Sequence, residues 1–303
     1  MHIERITALD RPELAPYATL RQSREHRRDG FFVAEGDRVV RRLLESDFGV
    51  VSVLLPARRL AEFEPLIRKR SEDVAVYVME IAELEKLTGF PFFQGVLAVG
   101  KIPRLHTLDS ILATASRPRF FVAIDGLTNS ENVGLIVRNC AAFGAQALIV
   151  DDSSASPFLR RSVRNSMGTI FKLPIVEVNP GVSLRAPAEA EKESHGSMPV
   201  ATEERALVSA LRQLRAQSVR VIAAHPQTEQ RSIHAADFRR DCCVVLGSEG
   251  PGLSPEVLAA CDEMVAIPMA AEVDSLNVGS AAAVFLYEAA RQRGSPADHR
   301  VST

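Results

Sequence analysis

Continuous apolar runs in the second half of the chain constrain its fold most strongly. Five runs consist almost entirely of apolar residues and do not alternate with polar ones: Phe120–Ile124, Ala147–Val150, Val219–Ala224, Cys242–Leu246 and Met264–Ile267. Such runs are typical of parallel strands buried on both faces, whereas alternation is typical of sheets with one face in water. This part of the chain is therefore predicted to form a parallel β-sheet covered by helices.

Helix candidates separate these strands, and a smaller α/β unit precedes them. The helix candidates are Val133–Phe143, Glu203–Gln217 and Ser275–Arg293. In the first hundred residues the predicted strands are Phe31–Ala34, Val50–Leu55, Val74–Met79 and Gly95–Val99, and the predicted helices are Asp37–Ser46 and Glu62–Arg70. Alternating strands and helices indicate an α/β fold in both parts.

The length of 303 residues exceeds the usual size of one domain, so two domains are expected. We predict a small α/β domain over 1–103, a linker over 104–118 and a parallel-sheet domain over 119–294. Residues 179–202 are rich in Pro, Ala, Glu, Ser and Gly and are expected to form a mobile insertion. Residues 295–303 are expected to be a flexible tail.

The composition excludes few classes of globular protein, so evidence for a nucleic-acid partner has to come from local runs of basic residues. The chain is 46% hydrophobic and 24% charged with a net charge of −2, which is ordinary globular composition. One basic run contains Arg21, Arg24, Arg27 and Arg28, a second is Arg68–Arg70, and a third contains Arg160, Arg161 and Arg164. The first and third are candidates for phosphate contacts, while the second is equally well explained as a solvated helix face.

The cysteines and the N-terminus predict a cytoplasmic protein without a metal site. Cys140, Cys242, Cys243 and Cys261 include no CxxC pair, and they are best explained as small buried hydrophobic residues. The N-terminus lacks an apolar signal region, and no window reaches the roughly 18 apolar residues of a membrane span.

Three polar segments follow predicted strands and carry the chemistry. In the segment 129–139, Arg138 lies off the apolar stripe of the helix and can project into a cleft. In 247–254, three glycines and a proline force a tight turn that lacks the P-loop lysine and the GxGxxG spacing. In 268–283, a polar loop leads to Ser275, the expected N-cap of a helix whose small residues permit close packing.

In order and spacing, these segments resemble the motifs of the SpoU branch of the SPOUT, or trefoil-knot, RNA methyltransferases. The resemblance runs from about Phe120 to the end of the Ser275 helix, and residues 160–168 also resemble that family's segment between the first two motifs. The stretches 30–40 and 92–96 resemble the substrate-binding domain that precedes the catalytic domain in many members. Asn129-Ser130 and Gly279 depart from the common pattern, but neither departure removes a residue with an expected role.

The resemblance implies a deep C-terminal trefoil knot, a homodimer and S-adenosylmethionine as the methyl donor to a ribose 2′-hydroxyl. The implied active-site residues are Asn132, Arg138, Glu249, Ser275 and Asn277. The implied cofactor site comprises Leu246, Gly247, Ile267, Met269 and Leu276. RNA contacts are expected from Arg24, Arg28, Arg160, Arg161, Arg164 and Ser166. Arg138 is the residue expected to prepare the hydroxyl. A guanidinium with a pKa above about 12 is a poor base, so positioning and charge stabilisation are alternatives.

Three other functions remain as alternatives. One is an RNA-binding relative that has lost catalysis, and another is a knotted methyltransferase that acts on a base. A nucleotide-dependent oxidoreductase is remote because the GxGxxG pattern is missing. Ribosomal RNA is favoured over transfer RNA as the substrate, because a separate N-terminal module precedes the catalytic part.

Overall fold

A computed structural model describes residues 1–88, 95–178, 205–226, 231–270 and 272–294. The predicted insertion 179–202, the predicted tail 295–303 and residues 92–94 of the N-terminal resemblance lie outside these ranges. Within them the α/β fold expected from the sequence is confirmed, with two sheets that follow one another along the chain.

The first sheet is mixed and is formed by the N-terminal part of the chain. Its strands are β1 (His2–Arg5), β2 (Phe31–Glu35), β3 (Val50–Leu55), β4 (Ala75–Val78) and β5 (Leu97–Lys101). Its helices are α1 (Ala15–Ala18), α2 (Ser23–Arg28), α3 (Asp37–Leu44), α4 (Ala57–Arg68) and α5 (Ile81–Thr88). The strand order is β1-β4-β3-β5-β2, and β5 is antiparallel to both of its neighbours.

The second sheet is parallel throughout, as predicted. Its order is β11-β9-β10-β6-β7-β8, from β6 (Phe120–Asp125), β7 (Ala147–Asp151), β8 (Ile175–Val178), β9 (Arg220–Ala224), β10 (Cys242–Gly247) and β11 (Glu263–Val265). The accompanying helices are α6 (Leu108–Thr114), α7 (Ser130–Phe143), α8 (Arg160–Asn165), α9 (Ala206–Ala216), α10 (Pro255–Ala260) and α11 (Val278–Gln292). Every residue of β6 and β7 is buried, which explains their continuous apolar sequences.

Two local predictions, the start of α4 and the cap of α11, were wrong. Helix α4 begins at Ala57, five residues before the predicted start, directly after Pro56. Helix α11 begins at Val278 and is capped by Asn277 instead of Ser275, because the Asn277 side chain accepts the free N–H groups of the first turn. Helix α6 lies in the predicted linker, yet its apolar side chains are buried against the second sheet, so this segment packs as part of that sheet's core.

The strand register brings the polar segments together. Gly247 at the end of β10 lies opposite Asp125 at the end of β6, and Ile124 lies opposite Val150 of β7. Because parallel strands end at the same edge of a sheet, the loops after β6, β7 and β10 are neighbours. Ligands of open α/β sheets bind at this edge.

The two sheets share one hydrophobic core and a buried ion-pair cluster. The rings of Phe32 and Phe48 from the first unit pack on Phe171, with centroids 5.7 and 5.3 Å away. The Glu35 carboxylate, 5% exposed, pairs with Arg160 and accepts a hydrogen bond from Arg164 at 2.8 Å. These contacts fix the N-terminal unit against the second sheet, whereas the domain boundaries themselves stay a prediction.

We expect Glu35→Ala to destabilise the protein by about 3–5 kcal/mol, because the largely buried Arg160 guanidinium loses its partner. Glu4→Ala is the matched control, since the Glu4–Arg11 pair is more than a third exposed at both ends and should contribute much less. The free energy of unfolding from urea titration measures both. Equal losses in the two variants would contradict the structural role of Glu35.

Candidate functional site

The glycine-rich loop after β10 is closed by its own backbone. Ser248 and Gly252 exchange two backbone hydrogen bonds of 3.0 and 3.1 Å. A Cβ atom on Gly247 would lie 2.3 Å from the carbonyl carbon of Gly252, and Gly250 and Gly252 have φ angles of +97° and +73°. The glycines are therefore required by the closed turn itself.

The start of α11 is fixed by Asn277 and by a close approach to α7. The Asn277 Oδ1 atom accepts hydrogen bonds from the N–H groups of Gly279 (2.9 Å) and Ser280 (3.3 Å). A Cβ atom on Gly279 would lie 3.2 Å from the Cβ of Leu135, and the Asn139 amide donates to the Gly279 carbonyl at 2.8 Å. Gly279 thus permits α11 to approach α7 closely, which accounts for the departure noted in the sequence.

Polar residues from all three segments meet at the Asn277 side chain. Its Nδ2 atom donates to Oε1 of Glu249 at 2.7 Å and to Oδ1 of Asn132 at 3.1 Å. Asn132 is 5% exposed, whereas Glu249 and Asn277 are open to solvent. Three of the five predicted active-site residues therefore form one hydrogen-bonded cluster, called here the polar cluster.

A cavity of about 360 Å³ lies beside the polar cluster and is called the first cavity. All five predicted cofactor-binding residues line it: Leu246, Gly247, Ile267, Met269 and Leu276. Three of the predicted active-site residues also line it: Glu249, Ser275 and Asn277. Sequence reasoning missed His225 and Phe285 in this lining. Leu276 is 40% exposed, so a ligand in the cavity would cover apolar surface that is now in water.

Arg138 lies outside the polar cluster and the first cavity. Its side chain is exposed on α7 and makes no hydrogen bond or ion pair with the residues that the structure describes. Leu135, one helical turn away, is also exposed. Arg138 is thus available to a substrate or to a second protein chain.

A second cavity, of about 620 Å³, lies at the carboxyl ends of β7 and β8. Arg24 and Arg28 of α2 line it, opposite a loop that carries Ser153 and Ser154. Gly126 lies between one residue of each lining, since a Cβ atom there would lie 3.7 Å from Ser248 Cβ of the first lining and 3.9 Å from Ser153 Oγ of the second. The predicted cofactor and RNA residues are thereby adjacent.

The remaining predicted RNA contacts are placed differently from one another. Arg161 is 67% exposed and Arg164 is 54% exposed, although Arg164 also bonds Glu35. Arg160 is only 14% exposed and donates to the Leu20 carbonyl at 3.1 Å, and the buried Ser166 hydroxyl donates to the Val163 carbonyl at 2.7 Å. This placement argues against a phosphate contact by Arg160 or Ser166.

Sequence reasoning missed a buried ionic network beneath the two cavities. Arg205, which precedes α9, donates to Asp125 Oδ1 at 2.7 Å and to Asp151 Oδ2 at 3.2 Å. Acidic residues at the ends of two apolar strands could have signalled the carboxylates. No local pattern marks Arg205, which is 80 residues from Asp125.

The cysteines have no catalytic character. Cys140 and Cys243 are completely buried, and desolvation raises the pKa of both thiols, so neither forms a nucleophilic thiolate near neutrality. Over the described ranges, no three His, Cys, Asp or Glu side chains are grouped as a metal site would require. No helix in those ranges has the length and apolar character needed to cross a bilayer.

Comparison with known proteins adds an independent line of evidence. The profile of the SpoU rRNA Methylase family matches residues 119–193 and 183–287. An uncharacterized tRNA/rRNA methyltransferase of Mycobacterium tuberculosis is 32% identical in sequence over 240 residues. The matched region covers 77% of this chain and 66% of the length of that relative.

Two solved structures are similar over almost the whole chain. The SpoU methyltransferase AviRb from Streptomyces viridochromogenes, in complex with AdoMet, is 26% identical, with a TM-score of 0.71 over 92% of this chain and 98% of AviRb. An RNA 2′-O ribose methyltransferase is 25% identical, with a TM-score of 0.72 over 96% of this chain and 99% of that protein's chain.

The family profile alone covers more than half of the 303 residues, including all three polar segments. The AdoMet complex of AviRb also agrees with the cofactor predicted for this family. By its sequence and its fold, this chain belongs to the SpoU rRNA methylase family.

Proposed function

We propose that the protein transfers a methyl group from S-adenosylmethionine to a ribose 2′-hydroxyl of RNA. The observation that carries this proposal is the polar cluster, in which Asn277 holds Asn132 and Glu249 at the mouth of the first cavity. Side chains from the three polar segments converge at this point. Similarity to an RNA 2′-O ribose methyltransferase favours ribose over a base as the acceptor.

The first cavity has the size and surface that S-adenosylmethionine requires. Its volume of about 360 Å³ lies within the range of small-molecule sites, roughly 300–1,000 Å³. Leu246, Ile267 and Leu276 would cover the apolar faces of the adenine ring, and backbone groups near Gly247 would bond its polar edge. When bound, the cofactor supplies a methyl group on a sulfonium, so the leaving group is a neutral thioether.

The protein then has to align the ribose hydroxyl with the methyl group and to allow the hydroxyl to lose its proton. Asn277, which also donates to Asn132, orients the Glu249 carboxylate through one hydrogen bond, and Glu249 lines the first cavity. We assign Arg138 to binding the phosphate next to the target ribose and stabilising charge that develops on the hydroxyl oxygen. A guanidinium suits this role better than that of a base.

The second cavity is the proposed path of the RNA backbone. Arg24 and Arg28 offer positive charge, the serine loop offers hydroxyl groups, and Ser153 of that loop lies near Gly126, as does Ser248 of the first cavity. Phosphate contacts of this kind position an RNA strand without reading its sequence. The 2′-hydroxyl itself distinguishes RNA from DNA. Ribosomal RNA remains the favoured substrate.

A homodimer and a C-terminal trefoil knot belong to the same proposal. α11 follows the edge strand β11 yet packs on α7 near the centre of the sheet, a path compatible with a knot. Leu135, Val284 and Tyr287 on these two helices are 36–57% exposed. Exposed apolar side chains on adjacent helices are typical of a subunit interface. A second chain at this surface would lie against Arg138.

Arg138→Ala should lower the rate of methyl transfer at least about 100-fold. The affinity for the cofactor should stay within about twofold of the wild-type value, because Arg138 lies outside the first cavity. The measurement uses labelled S-adenosylmethionine and unmodified total RNA, followed by mass spectrometry of the digested nucleosides. Appearance of a base-methylated nucleoside with the wild type would overturn the ribose assignment. Cofactor binding without any methylated product would favour a non-catalytic RNA-binding protein.

The double variant Arg24→Ala/Arg28→Ala should raise KM for RNA with little change in kcat. The slope of log Kd against log salt concentration should fall by about 2, because each lost phosphate contact lowers it by about 1. Arg68→Ala is the control, because Arg68 is 63% exposed and pairs with Glu64 on its own helix. Fluorescence anisotropy with labelled RNA gives Kd at several salt concentrations. Equal effects of the two changes would exclude a specific role for the second cavity.

Tyr287→Glu should convert a dimer into monomers, because a carboxylate would be buried in the apolar contact. Ile3→Glu is the control, since Ile3 is also exposed, at 39%, but lies on the first sheet. Light scattering after size-exclusion chromatography reports the mass of each variant. A wild-type protein that is monomeric at all concentrations would refute the homodimer.

A further inference from the structure

The loop that lines the first cavity is held at its far end by a buried carboxylate. Asp125 Oδ2 accepts the backbone N–H of Ser254 at 2.8 Å and the Ser254 hydroxyl at 2.9 Å. Ser254 lies two residues after Gly252, which closes the turn with Ser248. The position of the turn is thus fixed on one side by β10 and on the other by Asp125.

Arg205 neutralises this carboxylate and links it to the loop after β7. One guanidinium nitrogen bridges Asp125 Oδ1 and Asp151 Oδ2, and the other donates to the Ser254 hydroxyl. The two aspartates are 3% and 1% exposed, so their charges require a partner. Asp151 in turn accepts the N–H groups of Gly126 and Ser153, both at 3.2 Å.

The network therefore connects the three loops that surround the two cavities, after β6, β7 and β10. Among the described residues, neither Asp125 nor Arg205 lines the first cavity or bonds a residue of the polar cluster. Any effect on the cofactor has to act through the position of the loop 247–254. A planar guanidinium that contacts two carboxylates and a hydroxyl restrains all three loops at once.

We infer that Arg205 and Asp125 are positioning residues that preorganise the loop 247–254 for S-adenosylmethionine. Without them the loop samples other conformations, and binding has to restore the competent one, which lowers the apparent affinity. The inference rests on the proposed function only in seating the cofactor in the first cavity.

The test measures the Kd of S-adenosylmethionine by calorimetry without RNA, and KM and kcat with RNA. For Arg205→Ala and Asp125→Asn we expect Kd and KM for the cofactor to rise about 10-fold or more. At saturating cofactor, kcat should stay within about threefold, because the reacting groups are unchanged. Arg215→Ala is the matched control, since Arg215 lies on α9, the helix that Arg205 precedes, and pairs with Asp262, away from the loop, and it should leave Kd unchanged.

Two further variants separate positioning from general stability. Arg205→Lys keeps the charge but not the planar fork, so it should show a smaller rise in Kd than Arg205→Ala. The double variant Arg205→Ala/Asp125→Asn should lose no more affinity than the worse single variant, because both act on one restraint.

Wild-type cofactor affinity in a folded Arg205→Ala protein, with only a lower melting temperature, would reduce Arg205 to a structural role and overturn the inference. If Arg205→Ala does not fold, wild-type affinity in both Arg205→Lys and Asp125→Asn would overturn it equally. Cofactor affinity is read without RNA, so a wild type that methylates no RNA would refute the proposed reaction without affecting this test.

Discussion

The pairing of β6 with β10 is the constraint on which the site depends. Both strands are buried along their length, and their register places Gly247 opposite Asp125. A parallel pair in the middle of a covered sheet cannot slip without exposing apolar side chains and breaking hydrogen bonds on both sides. The loops after the two strands therefore start at fixed, adjacent points. The polar cluster and the first cavity are built from that edge.

Charged groups inside the molecule are used to fix parts of it relative to one another. Glu35 with Arg160 and Arg164 joins the two sheets, and Asp125 and Asp151 with Arg205 join the loops around the cavities. Such pairs add little net stability when compared with apolar packing, but an unpaired member is costly. They select one relative placement, and methyl transfer between two bound molecules requires defined placement.

The shared core gives the N-terminal unit a direct part in the proposed reaction. Because Phe32 and Phe48 pack against the second sheet, α2 has a defined position at the edge where the proposed active site lies. Arg24 and Arg28 then line a cavity that adjoins the cofactor loop. A flexible attachment would leave the same arginines able to bind RNA but unable to orient it. The packed arrangement combines binding with orientation.

The sequence by itself determined the parallel sheet, the three polar segments and eight of the residues that line the first cavity. Strand burial is written locally in apolar runs, and glycines that need positive φ angles mark the loop after β10. Only the tertiary structure decided which charges pair, since Arg205 and Asp125 are 80 residues apart and Arg160 and Glu35 are 125 apart. It also placed Asn277 at the helix cap and Arg138 outside the cavity. Ion pairing and exposure depend on neighbours brought in by folding, and no local pattern encodes those neighbours.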